Sequence, residues 1–182
     1  GMVSDGATQA FDNTDELRTA EATAEFWNTH RGGVGGRPIE VVTCETGAAP
    51  AGGTDCANQM VQEEVAMVVM PETQQPSAVH TVISANDIPL FVYGVTDPAI
   101  TEDAGSSFMI ASLTAGLSAL PISVAEEKDI DNVTVFVVDV PSATTFYEPD
   151  SLGAQQFEDA GIELNVVRVP LASADLTQQI NE

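Results

Sequence analysis

Ile88-Pro89-Leu90-Phe91-Val92-Tyr93-Gly94-Val95-Thr96-Asp97-Pro98 decides how this chain is read. The run 88–93 is apolar without polar alternation, and it follows a segment with helical spacing. Such a pattern predicts a central strand of a parallel sheet, buried on both faces. Residues 94–98 end the run in turn chemistry and therefore fall at the strand's carboxyl end. In open α/β sheets that is the edge where ligands bind.

Working outward from this strand, the same alternation repeats. Upstream, 77–86 reads as a helix and 65–70 as another buried strand, with 71–76 as its loop. Residues 56–64 carry helical spacing through Met60, Val61 and Glu64, and 44–55 is a small-residue loop after a strand at 39–43. A helix is predicted over 14–30. Thr14 is its expected cap, Asp15 and Glu16 suit the first turn, and Leu17, Ala20, Ala24 and Trp27 share one face. Met2 and Val3 close a first strand, and 4–13 is a polar loop. Downstream, 108–111 and 133–138 read as strands and 114–127 and 150–159 as helices. Gly161 is a C-cap, 164–169 a strand, and Asp175 the cap of a last helix. Strands alternating with helices of this length imply a Rossmann-like parallel sheet flanked by helices, joined by right-handed crossovers. The polar junction 129–132 divides a first lobe, 1–128, from the start of a second, 129–182.

Composition narrows the function classes. Residues of the 43% hydrophobic class are numerous enough for a packed core, and no run is long and apolar enough to span a bilayer. Asp and Glu number 28 against 5 Lys and Arg, a formal net charge of -23. Such a surface repels nucleic-acid backbones and anionic lipid and disfavours multiply anionic cofactors. No cofactor or metal is expected.

Cys44 and Cys56 form a close pair with no His or further Cys at metal-ligand spacing. A disulfide in an oxidising compartment is the first reading, contributing roughly 3 kcal/mol, and two thiols in a reducing one is the alternative. Gly32 to Gly36 follows a helix and precedes a strand, the reverse of a phosphate loop, and reads as a turn. His30 and His80 are isolated, surface or helix-end residues without a nucleophile partner. Met60, Met67, Met70 and Met109 are core filler.

The ordered signals resemble a known family. Phe26-Trp27-Asn28-Thr29-His30 leads into Gly32-Gly33-Val34-Gly35-Gly36-Arg37-Pro38-Ile39-Glu40. The match continues through Glu45, the Ala-Asn-Gln-Met-Val-Gln helix, residues 65–70, Ile88-Pro89, Thr96-Asp97-Pro98, 136–139 and Phe157 with Gly161. Together they are similar to type I periplasmic binding proteins, in the leucine/isoleucine/valine-binding branch of ABC-transporter receptors. The resemblance covers essentially the whole chain. It implies two α/β lobes that clamp a small amino-acid-like ligand without catalysis, outside the cytoplasm, for a membrane permease. The family's receptors are about twice this length, so the chain reads as an amino-terminal portion whose incomplete second lobe would favour a dimer.

Site residues follow from the same resemblance. Gly94, Val95 and Thr96 stand where the family offers backbone groups and a Thr hydroxyl to the ligand ammonium. Thr73 stands before a helix whose first amides receive the ligand carboxylate. Glu72 departs from that pattern: its charge would repel a carboxylate there and leaves room for a cationic, amide or peptide-like ligand. Phe146 and Tyr147 match an aromatic that covers the ligand from the second lobe. Ser4 and Asp12 are weaker candidates in the first loop. Each residue has a structural alternative: a turn cap for Thr96 and Asp97, packing at a helix start for Tyr147. A ligand-sensing domain of a signalling receptor has the same fold and is the second functional reading. A flavodoxin-like enzyme is the third, disfavoured because the chain lacks a glycine-rich first turn and a Ser/His/Asp or Cys/His set.

Overall fold

The computed structural model describes residues 1–9, 11–139 and 141–170. They fall into two compact units, Gly1–Ala111 and a second that begins at Ser112. The last helix predicted, with its cap at Asp175, lies outside the described residues.

The first unit is a parallel five-stranded sheet in the order β2-β1-β3-β4-β5. Its strands are β1 (Met2–Ser4), β2 (Thr43–Glu45), β3 (Val68–Met70), β4 (Leu90–Val92) and β5 (Ser107–Met109). The helices between them are α1 (Thr14–Arg31), α2 (Pro50–Gln62), α3 (Pro76–Ser84) and α4 (Pro98–Thr101). Register is regular, with Val3 opposite Cys44, Val69 opposite Phe91 and Phe91 opposite Phe108. Val68, Met70, Leu90 and Val92 point to one face, where Met60 of α2 and Val79 and Ile83 of α3 close over them, all nearly solvent-free. On the other face Val69, Phe91 and Phe108 are 37%, 38% and 47% exposed. β4 is thus buried on one face only, which corrects the two-sided burial predicted for it. Phe91 and Phe108 stack on that face with ring centroids 5.7 Å apart.

Several boundaries move for local reasons. Thr14 is the first helical residue and not the cap; the Asp12 carboxylate accepts from its amide and hydroxyl at 3.0 and 2.7 Å. β2 begins at Thr43 because Asn28 claims the earlier backbone: its amide accepts from the Ile39 N–H at 2.7 Å and donates to the Ile39 carbonyl at 2.8 Å. The stretch read as a loop over 44–55 is half strand end and half helix, since Pro50 opens α2. Glycines inside α2 are there for room. A Cβ on Gly52 would sit 2.0 Å from the Thr46 carbonyl oxygen, and one on Gly53 3.0 Å from Cβ atoms of Ala78 and Gln75 on the α3 side. Cys44 and Cys56 are joined, with Cα atoms 5.5 Å apart, and staple β2 to α2. His80, expected at the surface, is buried at 7% exposure; its Nε2 lies 2.9 Å from Asp103.

The second unit pairs β6 (Asn132–Val138) with β7 (Glu163–Val169), parallel and in register along their whole length. A π-helical turn, Ala115–Ala119, runs into α5 (Leu120–Glu127); α6 (Pro141–Thr144), a 3₁₀ turn (Thr145–Tyr147) and α7 (Leu152–Asp159) lie between the strands. Ala125, Phe157 and Ile162 are its buried centre. The helix over 120–127 packs with β6, and its Ala125 is buried with Phe157 and Ile162. Pro121 explains the π turn and a second contact. It has no N–H to give the Leu117 carbonyl four residues back. The Tyr147 hydroxyl donates to that carbonyl instead, at 3.1 Å.

Three outcomes are expected. Replacing Cys44 and Cys56 by Ser, or adding reductant, lowers unfolding free energy by about 2–4 kcal/mol in urea titrations. Tyr147→Phe removes the hydroxyl that donates to the Leu117 carbonyl and costs about 0.5–1.5 kcal/mol in the same assay. Hydroxyl donation from Ser106, the His80 contact and the amides of Ser106 and Gly105 hold the Asp103 carboxyl well below the usual carboxylate range. Its stabilising contribution is complete above the ordinary Asp value of 3.8 and is lost as pH falls below it. The acid limb of a stability–pH curve is expected to flatten in Asp103→Asn.

Candidate functional site

Parallel strands in the first unit bring their carboxyl ends to one edge, and the residues just past those ends build the candidate site. Asp5 follows β1 and is fully buried. Its Oδ1 accepts from the hydroxyls of Thr46, just after β2, and of Thr73, in the loop after β3, the latter at 2.6 Å. Its Oδ2 accepts from the Gln74 amide at 2.7 Å. One carboxylate thus ties three strand ends together. The backbone adds Thr46 N–H to Ser4 carbonyl at 2.9 Å and Gly47 N–H to Asp5 carbonyl at 3.1 Å.

Ser4 is buried and donates to Glu16 on α1. Burial holds the Glu16 carboxyl above its usual range; the Ser4 hydroxyl opposes this, and the charges of Glu72 and Asp5 reinforce it. Gly6 has φ 68°, and a Cβ there would lie 2.3 Å from the Glu45 carboxylate, so the turn after β1 admits only glycine. Thr73 donates to Asp5 and accepts from the Gln75 amide at 3.1 Å. Glu72 is exposed and makes no hydrogen bond or ion pair among the described residues.

Gly94, Val95 and Thr96 follow β4 on the same edge and are half-buried, with Val95 packed against the core. The Thr96 hydroxyl has no hydrogen-bond partner among the described residues. Asp97 is occupied structurally: it caps α4 through the Ala99 amide at 2.9 Å and accepts from Ser77. Asp12 is exposed and serves the start of α1, with hydrogen bonds from Thr14 lowering its carboxyl.

Phe146 and Tyr147 belong to the second unit. Phe146 is buried, and its carbonyl accepts from Ser151 at 2.6 Å. Tyr147 meets it edge to face at 5.0 Å, its own hydroxyl held by Leu117. Tyr147 also lines a cavity of about 380 Å³ together with Pro149, Leu164 and Arg168. Among the described residues no cluster of His, Cys, Asp and Glu is placed to hold a metal ion.

Asp5 and Thr46 escape a reading by motif. Their only signal is a polar residue directly after a short apolar run, the position that a parallel sheet places at its ligand edge. The structure groups them with Ser4, Glu16 and Thr73.

A model of the periplasmic binding protein family matches residues 3–182. No curated protein sequence matches. Among solved structures, a periplasmic binding protein from Burkholderia mallei is 16% identical with a TM-score of 0.74, over 100% of this chain and 48% of its own. An ABC-transporter solute-binding protein from Rhodopseudomonas palustris BisB5, in complex with 3,4-dihydroxybenzoic acid, is 20% identical at 0.71, over 100% and 49%. A putative branched-chain amino acid ABC transporter protein from Silicibacter pomeroyi is 14% identical at 0.70, over 99% and 49%. The chain thus spans about half the length of each. Parallel sheet, strand-end edge and the match over 3–182 agree, and this chain belongs to the periplasmic binding protein family.

Proposed function

We propose that this chain is part of an extracytoplasmic solute-binding receptor of an ABC importer, which binds a small solute without catalysis and delivers it to a membrane permease. The observation that carries this reading is the shared edge of the first unit. There the ends of β1 to β4 set Asp5, Thr46, Thr73 and residues 94–96 side by side on a rigid sheet. No Ser/His/Asp or Cys/His set lies at that edge among the described residues, while short strand ends with small residues permit close backbone approach to a ligand. Similar structures carry the names of ABC-transporter solute-binding proteins. The Cys44–Cys56 bond suits an oxidising compartment.

An amino acid or a related amide or peptide-like solute fits the edge, with Gly94, Val95, Thr96, Glu72 and Thr73 as its contacts in the first unit. Phe146 and Tyr147 are the contacts proposed from the second. Two of the similar structures have different cargo in their names, an aromatic acid and a branched-chain amino acid.

Calorimetric titration of the natural protein that contains this chain, against amino acids, their amides, short peptides and aromatic acids, tests the proposal. One saturable site is expected. Thr96→Val is expected to weaken it about 3- to 10-fold, the worth of one neutral hydrogen bond. Absence of binding across the panel would overturn the receptor reading; unchanged affinity in Thr96→Val would remove Thr96 from the site.

A further inference from the structure

A helix carries partial positive charge at its first turn and partial negative charge at its last, so acids favour its start and bases its end. α1 follows this rule, with Asp15 and Glu16 in its first turn and His30 and Arg31 in its last. α2, α5 and α7 reverse it. None of the three has an acid in its first turn or a base in its last. Their acids gather at the carboxyl ends instead. Glu63 and Glu64 follow directly on α2, Glu126 and Glu127 are the final residues of α5, and Glu158 and Asp159 are those of α7. All six are exposed. Of the six, only Glu127 has a cationic neighbour among the described residues, Lys128 at 3.6 Å.

Each pair sets two carboxylates side by side against the free carbonyls of a helix end. Carboxylate repels carboxylate, and both repel the negative end of the dipole, within about one helical turn of 5.4 Å. The protein has few cations to relieve this: 28 Asp and Glu face 5 Lys and Arg. Arg18 and Arg168 already stand in ion pairs of their own, with Asp15 and with Asp139 and Glu148. In about 0.01 M salt the Debye length is about 30 Å, and the helix ends feel the remaining surface charge as well. Near 1 M it is about 3 Å, shorter than one helical turn.

We infer that this protein is built for a saline medium: its folded state depends on dissolved cations that screen the carboxyl ends of α2, α5 and α7. The net charge of -23 extends the same dependence to the whole surface, because a compact chain of one sign repels itself. Small cations of the medium do here what lysine and arginine side chains do elsewhere. The dependence holds whatever the binding edge recognises.

Thermal melts of the natural protein that contains this chain, recorded from about 0.01 M to about 1 M NaCl, are the test. The melting temperature is expected to rise by about 10 °C across that range. One variant neutralises four unpaired helix-end acids, through Glu63→Gln, Glu126→Gln, Glu158→Gln and Asp159→Asn. It is expected to melt about 5 °C above the unaltered protein in low salt and within about 1 °C of it in high salt. A control of equal charge change, Glu21→Gln, Glu25→Gln, Glu40→Gln and Asp55→Asn, spares the last turn of every helix. Its gain in low salt is expected to be less than half as large. A rise of less than about 3 °C with salt in the unaltered protein overturns the inference. So does a helix-end variant that is no more stable in low salt than the control.

Discussion

The Asp5 carboxylate, buried at the junction of three strand ends, is the constraint on which the first unit's functional edge depends. Strands of three residues make few ladder hydrogen bonds, and the loops that follow them have little else to fix their course. Asp5 supplies what the ladders do not. By accepting from Thr46, Thr73 and the Gln74 amide, it sets the exit of β2, the exit of β3 and the start of α3 relative to β1. A buried carboxylate is tolerable only with such a set of donors. The same contacts that make the charge tolerable engage those three donors within the protein.

A similar logic runs through the rest of the molecule. Where a backbone group loses its regular partner, a side chain supplies one. Asn28 serves both polar groups of Ile39, and Asp97 serves the start of α4. Tyr147 serves the Leu117 carbonyl, four residues before Pro121. These residues stand in loops or at helix ends, the positions that binding proteins also use for ligand contacts. Sequence position alone does not separate the two uses. Tyr147 has a structural task, its hydroxyl donating to Leu117, and Asp97 takes the capping role read for it.

Much of the fold was legible because its signals are local. Apolar runs of four to six residues bounded by turn residues marked the strands, and 3.6-residue spacing marked α1 and the carboxyl half of α2. Boundaries were less legible where a distant side chain decided them. β2 starts late because Asn28, 11 residues upstream, claims Ile39. The stretch 44–55 looked like a glycine-rich loop, yet Gly52 and Gly53 are helical glycines that let α2 approach the Thr46 turn and α3. The polar run 129–132 is conspicuous in the sequence, whereas the burial of Ala125 against Phe157 and Ile162 leaves no local mark.

The sequence by itself determined the class of fold, the order of its elements and the nearness of the two cysteines, and it named the edge at which a ligand is proposed to bind. Those follow from periodicity, turn chemistry and composition, which act over a few residues. Only the tertiary structure decided which protons at that edge are free. Asp5 meets Thr46 across 41 residues of chain and Thr73 across 68, and a hydroxyl's capacity to donate depends on what it faces in space. The sequence could name Thr73; the fold gave its hydroxyl to Asp5.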